Sequence, residues 1–364
     1  MAVPADTNHR LTGEIVAPVE RLTALWALSE AGLGGVLHAL RWPFTGILVG
    51  GFAVILISLI ASFAERPGWA ILRATIIVLI IKAMVSPHTP IQAYFAVGFQ
   101  GLAGAGLFTL LPHGGAAEFL LAILAMAEAA FQKLLVLTIL YGRTLWHALD
   151  LFFDYVSRQV AGLHLTAVVS GSELTIASYV GLHLVGGVVI GWAAIRIPRQ
   201  IGRTLNEAAA LPQEVLRLQL PSGSVPKRKR RKRRRVVSFL VLLLLILAAL
   251  ILRNPNARGM SQAAYVVVRA MVVLAVWYLI LAPLVIRLFV RFIDRKKTRY
   301  SGELTAALSV LPSLRRAAVL LWSESRKIGG LAGARHFVRS LILFALLFEP
   351  EPPSEETLPG TDAS

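Results

Sequence analysis

The chain has 364 residues, of which 56% are hydrophobic and only 16% are charged, with no cysteine and a net charge of +17. Soluble domains carry about 25% charged residues, so this composition excludes an ordinary soluble domain and indicates a membrane protein with basic segments. The absence of cysteine excludes disulfides, thiolate chemistry and cysteine-bound metal or iron–sulfur sites.

The chain begins with a mixed polar segment and a short apolar stretch. Residues 1–21 lack the basic segment and apolar core of a secretory signal peptide, and we predict a cytoplasmic segment there. The stretch 22–40 carries Glu30 and His38 and is rich in small residues. Two interpretations stay open for it: a span packed against other helices, or a helix on the membrane surface.

Five longer apolar blocks follow, and proline, glycine or charged residues separate them. Blocks of about 18 or more apolar residues can cross the hydrocarbon core as helices. The five blocks are 45–64, 69–85, 91–111, 116–142 and 175–195. Together with 22–40 they predict a six-helix transmembrane bundle over residues 22–197. Arg73 and Lys82 lie near the ends of their block, where we expect both side chains to reach the membrane interface.

The loop at 143–174 holds a further helical pattern. Five of its apolar residues recur at helical spacing: Leu145, Leu149, Phe152, Phe153 and Val156. We predict an amphipathic helix on the outer face of the membrane, with a lid over a site as the alternative. Asp150 and Asp154 share one side of this helix, but without a third ligand we predict no metal site there.

A basic linker and another apolar block follow the bundle. Residues 198–235 form the linker, which ends in nine consecutive basic residues: Lys227, Arg228, Lys229, Arg230, Arg231, Lys232, Arg233, Arg234 and Arg235. We interpret this run as a cytoplasmic topology anchor in contact with anionic lipid headgroups, each residue contributing about 1 kcal/mol. Nucleic-acid binding is the competing interpretation. No aromatic residue interleaves with the run, so we predict no nucleic-acid partner.

The rest of the chain adds a hairpin and amphipathic helices. The blocks 236–252 and 263–289 predict a transmembrane helical hairpin over 236–289. Over 290–348, apolar residues at helical spacing alternate with arginines, which predicts cytoplasmic or interfacial helices. The acidic, proline-rich tail 349–364 is predicted to be disordered.

The predicted fold class is all-α: a polytopic integral membrane protein with a six-helix bundle, a transmembrane hairpin and cytoplasmic amphipathic helices. Basic residues follow the block 175–195, fill the linker and follow the block 263–289. Because short basic loops stay on the cytoplasmic side, we predict a cell (inner) membrane location with both termini cytoplasmic.

Polar side chains near the centres of the spans form the candidate site, because such groups usually face the bundle interior. The candidate substrate-binding residues are Gln92, Gln100, Glu128, Gln132 and His183. Glu128 is the strongest candidate, since an unpaired carboxylate there must be protonated or meet a cation. Lys82 and His183 are its candidate partners. Hydrogen bonding between helices is the structural alternative, above all for Gln100 and His183.

Known catalytic motifs are absent from the sequence. It contains no phosphate-binding G-x-x-x-x-G-K-[ST] loop, no H-E-x-x-H zinc motif and no G-x-S-x-G nucleophile motif. We therefore predict no enzyme activity, no cofactor and no metal. A membrane-embedded enzyme acting on lipid is the weakest alternative, since no acid–base or metal constellation supports it.

Two stretches of the bundle carry a family resemblance. In "SPHTPIQAYFAVGFQGLAGAGLFTLLP" (86–112) a proline-broken outer loop leads into a glycine-rich helix, and in "ALSEA" (27–31) Ala27 and Ala31 form an Ala-x-x-x-Ala pattern. Over about residues 20–197 the chain resembles the substrate-binding (S) components of energy-coupling factor vitamin transporters. The resemblance implies that Ala27 and Ala31 meet a partner subunit.

The C-terminal part is similar to the coupling (T) subunit of the same transporters, whose coupling helices bear small-Arg-small triplets. "RRA" (315–317) and "ARH" (334–336) match those triplets in part, which makes Arg315, Arg316 and Arg335 candidate partner contacts. The resemblance implies that the chain binds a small vitamin-like solute and works with separate ATPase and coupling subunits. The alternative is a non-transporting scaffold that anchors a cytoplasmic partner through the basic linker and C-terminal helices.

Overall fold

The computed structural model describes residues 17–34, 44–85, 90–111, 115–161, 170–206 and 258–347. Within these ranges the chain forms helices joined by short turns. The helices are α1 (Pro18–Leu28), α2 (Gly51–Phe63), α3 (Pro67–Val85), α4 (Ile91–Leu110), α5 (Ala116–Tyr141), α6 (Arg143–Ala161), α7 (Gly171–Asn206), α8 (Arg258–Val276), α9 (Ala282–Arg299), α10 (Ser301–Ile328) and α11 (Gly330–Leu347). Single π-helical turns extend α1 (Ser29–Leu33), precede α2 (Gly46–Gly50) and join α8 to α9 (Trp277–Leu281).

Eight helical stretches in the described ranges are long and apolar enough to cross a membrane. This confirms the predicted class, an all-α multi-pass membrane protein. The predicted blocks 45–64, 69–85, 91–111 and 116–142 coincide with helices, and the block 175–195 lies within the longer α7. The basic run 227–235 and the predicted span 236–252 lie outside the described residues.

Helix α2 occupies the centre of the bundle. It packs against α1, α3, α4, α5 and α7, and eight of its apolar side chains from Ala53 to Ala61 are buried in the core. Its sequence, "GFAVILISLIASF", is apolar around the whole helix, as expected for a helix with neighbours on every side.

Helix α1 is buried on all sides although it has only 11 residues. It contacts α2 and α3 on one side and α10 and α11 on the other, and the side chains of Leu22 and Trp26 are completely buried. The described part of the stretch 22–40 is therefore a packed interior helix and not one lying free on a surface. Residues 35–43 are outside the description.

Glycines allow close approach of α5 and α7, which share the most extensive helix–helix contact in the described structure. Gly187 faces Ala122 and Ile123, and Gly191 faces Phe119. These pairs define an antiparallel register between the two helices. Gly187 and Gly191 thus let the two helix backbones approach closely, as small residues do in membrane bundles.

The hairpin of α10 and α11 is joined to the bundle at its open end. Arg73 on α3 contacts both Glu20 and Glu303 at 3.4 Å, and Arg21 donates a hydrogen bond of 2.8 Å to the carbonyl oxygen of Leu346. Both helices also have the length and hydropathy of membrane spans. The prediction for 290–348 was cytoplasmic or interfacial helices and not spans, because the arginines there outweighed the apolar stripe that α1 covers.

Candidate functional site

A buried ion pair joins the interior of two helices. The Lys82 ammonium lies 2.6 Å from a carboxylate oxygen of Glu30, and the two side chains are only 2% and 6% exposed. Glu30 belongs to the π-helical turn that extends α1, and Lys82 to the last turn of α3. The expectation that Lys82 reaches the membrane interface is therefore wrong, because its charge is neutralised inside the bundle.

Lys82 also contacts the first turn of α4. Its ammonium donates a hydrogen bond of 3.3 Å to the carbonyl oxygen of Ala93 and lies 5.8 Å from the ring centroid of Tyr94. A carboxylate, a carbonyl oxygen and an aromatic face thus surround one cation, a combination that stabilises a buried ammonium group. This arrangement also shows that Lys82 is not the partner of Glu128, which was one of the two expectations for it.

The Glu128 carboxylate is buried without a hydrogen-bond partner. Both of its oxygens are inaccessible, and neither accepts a hydrogen bond from the residues that the structure describes. Lys133 is exposed and lies five residues on, about 140° around the helix, so its side chain points away. Burying a carboxylate without hydrogen-bond donors is costly in free energy. Of the groups in the bundle interior, Glu128 therefore has the greatest need of a partner.

Gln132 and Gln92 lie beside Glu128. The Gln132 amide nitrogen donates a hydrogen bond of 3.1 Å to the backbone carbonyl of Gln92, and Leu121 lies next to Gly104. These two contacts set α4 and α5 antiparallel. Glu128, one turn from Gln132 on the same side of α5, therefore faces α4. The structure brings Gln92, Glu128 and Gln132 together along one helix–helix seam.

Gln100 lies on α4 but points towards α2. Its side chain is 4% exposed, its amide nitrogen lies beside Gly50, and its buried carbonyl oxygen has no partner among the described residues. Gln100 is thus at a depth close to that of Glu128, on a different side of α4. A single solute can contact both Gln100 and Glu128 only if it extends across one face of α4.

His183 lies apart from the Glu128 seam. It is 1% exposed, its Nδ1 lies 2.9 Å from the Tyr179 carbonyl oxygen, and the Tyr179 ring is 4.4 Å away. His183 is one turn before Gly187, which faces Ile123 on α5. Glu128 is five residues beyond Ile123 and so about 140° around α5. The structure therefore separates His183 from Glu128 by the body of α5.

The residues predicted to contact a partner differ in accessibility. Ala27 is completely buried against helices of its own chain, so its contact with a separate subunit requires α1 to leave this position. Ala31 and Arg316 are half-buried, whereas Arg315 and Arg335 are exposed. Only the two exposed arginines are presented to another molecule without rearrangement.

The predicted outer helix is α6, and its acidic residues have local partners. The backbone N–H of Ser172, at the start of α7, donates a hydrogen bond of 2.7 Å to Asp150. This bond and one from the Ser172 side chain lower the pKa of Asp150. Asp154 pairs with Arg158 at 2.6 Å. Asp150 thus links α6 to the start of α7, whereas the Asp154–Arg158 pair lies within α6.

One open apolar depression lies on the outward side of α4. Its lining consists of Phe95, Gly98, Phe99, Leu102 and Ala103, with the rings of Phe95 and Phe99 stacked at 6.4 Å. None of these five is a candidate binding residue. The depression fits a lipid-facing surface, since apolar side chains are expected towards hydrocarbon.

The pairing of Glu30 with Lys82 does not follow from the sequence. Each is a charged residue within an apolar stretch, and that was the available signal. Their pairing depends on α1 and α3 running side by side, with Glu20 near Arg73 at one end and Glu30 near Lys82 at the other. Residue spacing alone does not reveal which spans are neighbours.

Comparisons with known proteins found no match: no family model, no curated protein and no solved structure is similar to this chain. The fold thus defines a class, an α-helical multi-pass membrane protein. The function must be argued from the side chains of the bundle interior.

Proposed function

We propose that this chain is the solute-binding component of a membrane transporter, with the solute held by Glu128, Gln132 and Gln92 between α4 and α5. A separate ATPase and coupling subunits would energise transport, as in the transporters whose S components the chain resembles. The single observation that carries the proposal is the Glu128 carboxylate, which is buried with both oxygens unpartnered in the described structure.

A structural role explains this carboxylate poorly. Carboxylates that stabilise a membrane bundle pair with a base, as Glu30 does with Lys82. A buried group left without partners is costly to the fold. Such groups inside membrane bundles commonly bind substrates or ions. A ligand that forms hydrogen bonds with the Glu128 carboxylate therefore accounts for its buried position.

We expect the Glu128→Gln variant to lose solute while keeping its abundance in the membrane. Replacing a charged acceptor by a neutral one removes a charge-assisted hydrogen bond, which corresponds to a loss of about 10- to 100-fold in affinity. The measurement is the amount of small molecule that co-purifies with the protein, quantified by mass spectrometry. The uptake of that molecule into vesicles is measured next.

The matched control is Glu118→Gln. It makes the same substitution in the first turn of the same helix, ten residues from Glu128 and outside the proposed site. Equal co-purification and uptake for the wild type and both variants would contradict the proposed site. A loss confined to Glu128→Gln would support it.

We also propose that the protein lies in the cell (inner) membrane with both termini cytoplasmic and the α10–α11 hairpin on the cytoplasmic side. Exposed basic residues of the hairpin, Arg315, Arg326, Lys327 and Arg335, are costly in hydrocarbon and favourable beside anionic headgroups. The same exposed arginines favour a second candidate function, a scaffold that binds a cytoplasmic partner through 290–348.

The absence of cysteine makes the orientation testable with single introduced cysteines. We expect Gly329→Cys, in the exposed turn between α10 and α11, to react with a membrane-impermeant maleimide only after the cells are permeabilised. Ser86→Cys, in the predicted outer loop, is expected to react in intact cells. The reverse pattern would show that the assigned orientation is inverted. Labelling of both positions in intact cells would show that the hairpin crosses the membrane.

A further inference from the structure

We infer that the ligand of Glu128 is a singly charged cation, either an alkali ion or the protonated amine of an organic solute. The inference rests on the proposed function and specifies the charge of what that site binds. It follows from a count of charges and of hydrogen-bonding groups at the seam between α4 and α5.

When the charges of the buried residues are added, one carboxylate has no counter-ion among the described residues. Glu30, Lys82 and Glu128 are three residues whose charged atoms are buried in the described part of the bundle. Lys82 and Glu30 neutralise each other at 2.6 Å, and the remaining contacts of the ammonium are the Ala93 carbonyl and the Tyr94 ring. In its ionised form, Glu128 therefore contributes one negative charge that no described residue balances.

Helix α4 supplies no cation to Glu128, and Arg269 of α8, which also packs against α5, lies beside Gly142 at the far end of α5. Helix α4 contains no charged residue along its whole length, and Lys133 on α5 is exposed and points about 140° away. The imidazole of His183 lies on the side of α5 that faces α7. A base from these elements cannot meet the carboxylate without a change in helix packing.

The hydrogen-bonding groups at this seam also favour a cation, because those without a partner are acceptors. In the described parts of α4 and α5, the buried side-chain atoms without partners are all oxygens: Gln100 Oε1, Glu128 Oε1 and Glu128 Oε2. The nearest amide donor, Gln132, already donates to the Gln92 carbonyl. An anionic or purely accepting solute would find no donor at Glu128, whereas a metal ion or an ammonium group satisfies oxygen acceptors.

The expected ion carries one charge and not two. Divalent ions need several oxygen ligands with more than one carboxylate in most protein sites, and the described residues contain no group of three or more histidines, aspartates or glutamates that could hold a metal ion. A single carboxylate balances a single positive charge.

The test is a thermal titration of the purified full-length protein in detergent, followed by its tryptophan fluorescence. Sodium chloride, potassium chloride and methylammonium chloride are added in turn, and tetrapropylammonium chloride, which is bulky and has no N–H donor, keeps the ionic strength constant. At about 100 times Kd the preferred cation is expected to raise Tm by about 5 °C. The three salts distinguish an alkali ion from an amine. The rise is expected to vanish in Glu128→Gln and to persist in Glu118→Gln.

Three outcomes of this titration would overturn the inference. One is no rise in the wild type with any of the three cations, a result that does not depend on whether a variant folds. Another is an equal rise in Glu128→Gln. The third is a rise on exchange of chloride for acetate, which would point to an anionic ligand. In that last case the proposed solute-binding function would stand, and only the charge assigned to the solute would fall.

A partner within the chain is the remaining competitor, and Arg41 in the segment outside the description is the basic residue to examine. A double-mutant cycle of Arg41→Gln with Glu128→Gln measures the coupling between them. Effects on Tm that add independently support an external cation. A coupling that removes most of the effect of Arg41→Gln when Glu128 is already glutamine would overturn the inference.

Discussion

Replacing Lys82 by methionine is expected to lower the free energy of unfolding by about 3–5 kcal/mol, the cost of leaving one member of a buried ion pair unpaired. The Glu30 carboxylate, whose side chain is 6% exposed, would lose its cation, and the Ala93 carbonyl would lose its hydrogen-bond donor. Methionine keeps the length of the side chain, so the loss reports the charge and not a cavity. Denaturant unfolding in detergent micelles measures the change.

Two further variants make this result specific. The double variant Glu30→Gln with Lys82→Met removes both charges and is expected to recover most of the stability, since an ion pair replaced as a whole is often neutral. Lys133→Met changes an exposed lysine and is expected to alter stability by less than about 0.5 kcal/mol. If Lys82→Met and Lys133→Met had equal effects, the buried pair would have no special role.

The second large effect is expected for Gly191→Leu at the contact of α5 and α7. A Cβ atom at this position would lie 2.8 Å from the Phe119 ring and 3.2 Å from the Phe119 Cα atom. The backbone cannot yield as a flexible side chain does, so the helices must separate. We expect a loss of about 1–3 kcal/mol, in the range of overpacked cores, measured by the same unfolding experiment.

The same helix provides the control. Gly181 has no atom within 4 Å of an added Cβ, so Gly181→Leu has the same substitution without the clash. Both variants gain the same helix propensity, because leucine is favoured over glycine by about 0.8 kcal/mol. We expect Gly181→Leu to be neutral or stabilising. Equal destabilisation by both substitutions would show that the cost arises from the lipid-facing surface and not from contact with α5.

The proposals depend on the two carboxylates having different environments. Glu30 is paired within the chain and is expected to act on stability, whereas Glu128 is unpartnered in the described structure and is expected to act on binding. Glutamine at position 128 removes a buried charge without a partner, so Glu128→Gln should lower stability little or raise it. This contrast lets unfolding and binding measurements separate structural from functional carboxylates in one bundle.

The class of the protein and most of its helices could be predicted from local sequence patterns. Apolar blocks of about 18 or more residues must bury their backbone polar groups as helices in hydrocarbon. That requirement is local, so α3, α4 and α5 fall within a few residues of the predicted blocks. The sequence also places Glu128 within an apolar helix, although it could not show whether the carboxylate had a partner.

Which residues meet depends on how the helices pack, and this could not be predicted from the sequence. Lys82 was a possible partner for Glu128 until the side-by-side arrangement of α1 and α3 assigned it to Glu30. His183 and Glu128 have similar depths, but α5 separates them because their positions around that helix differ. Hydropathy fixes the depth of a residue along the membrane normal. The neighbours of a helix and its rotation depend on small-residue contacts between distant segments, such as Gly191 with Phe119, which no local pattern contains.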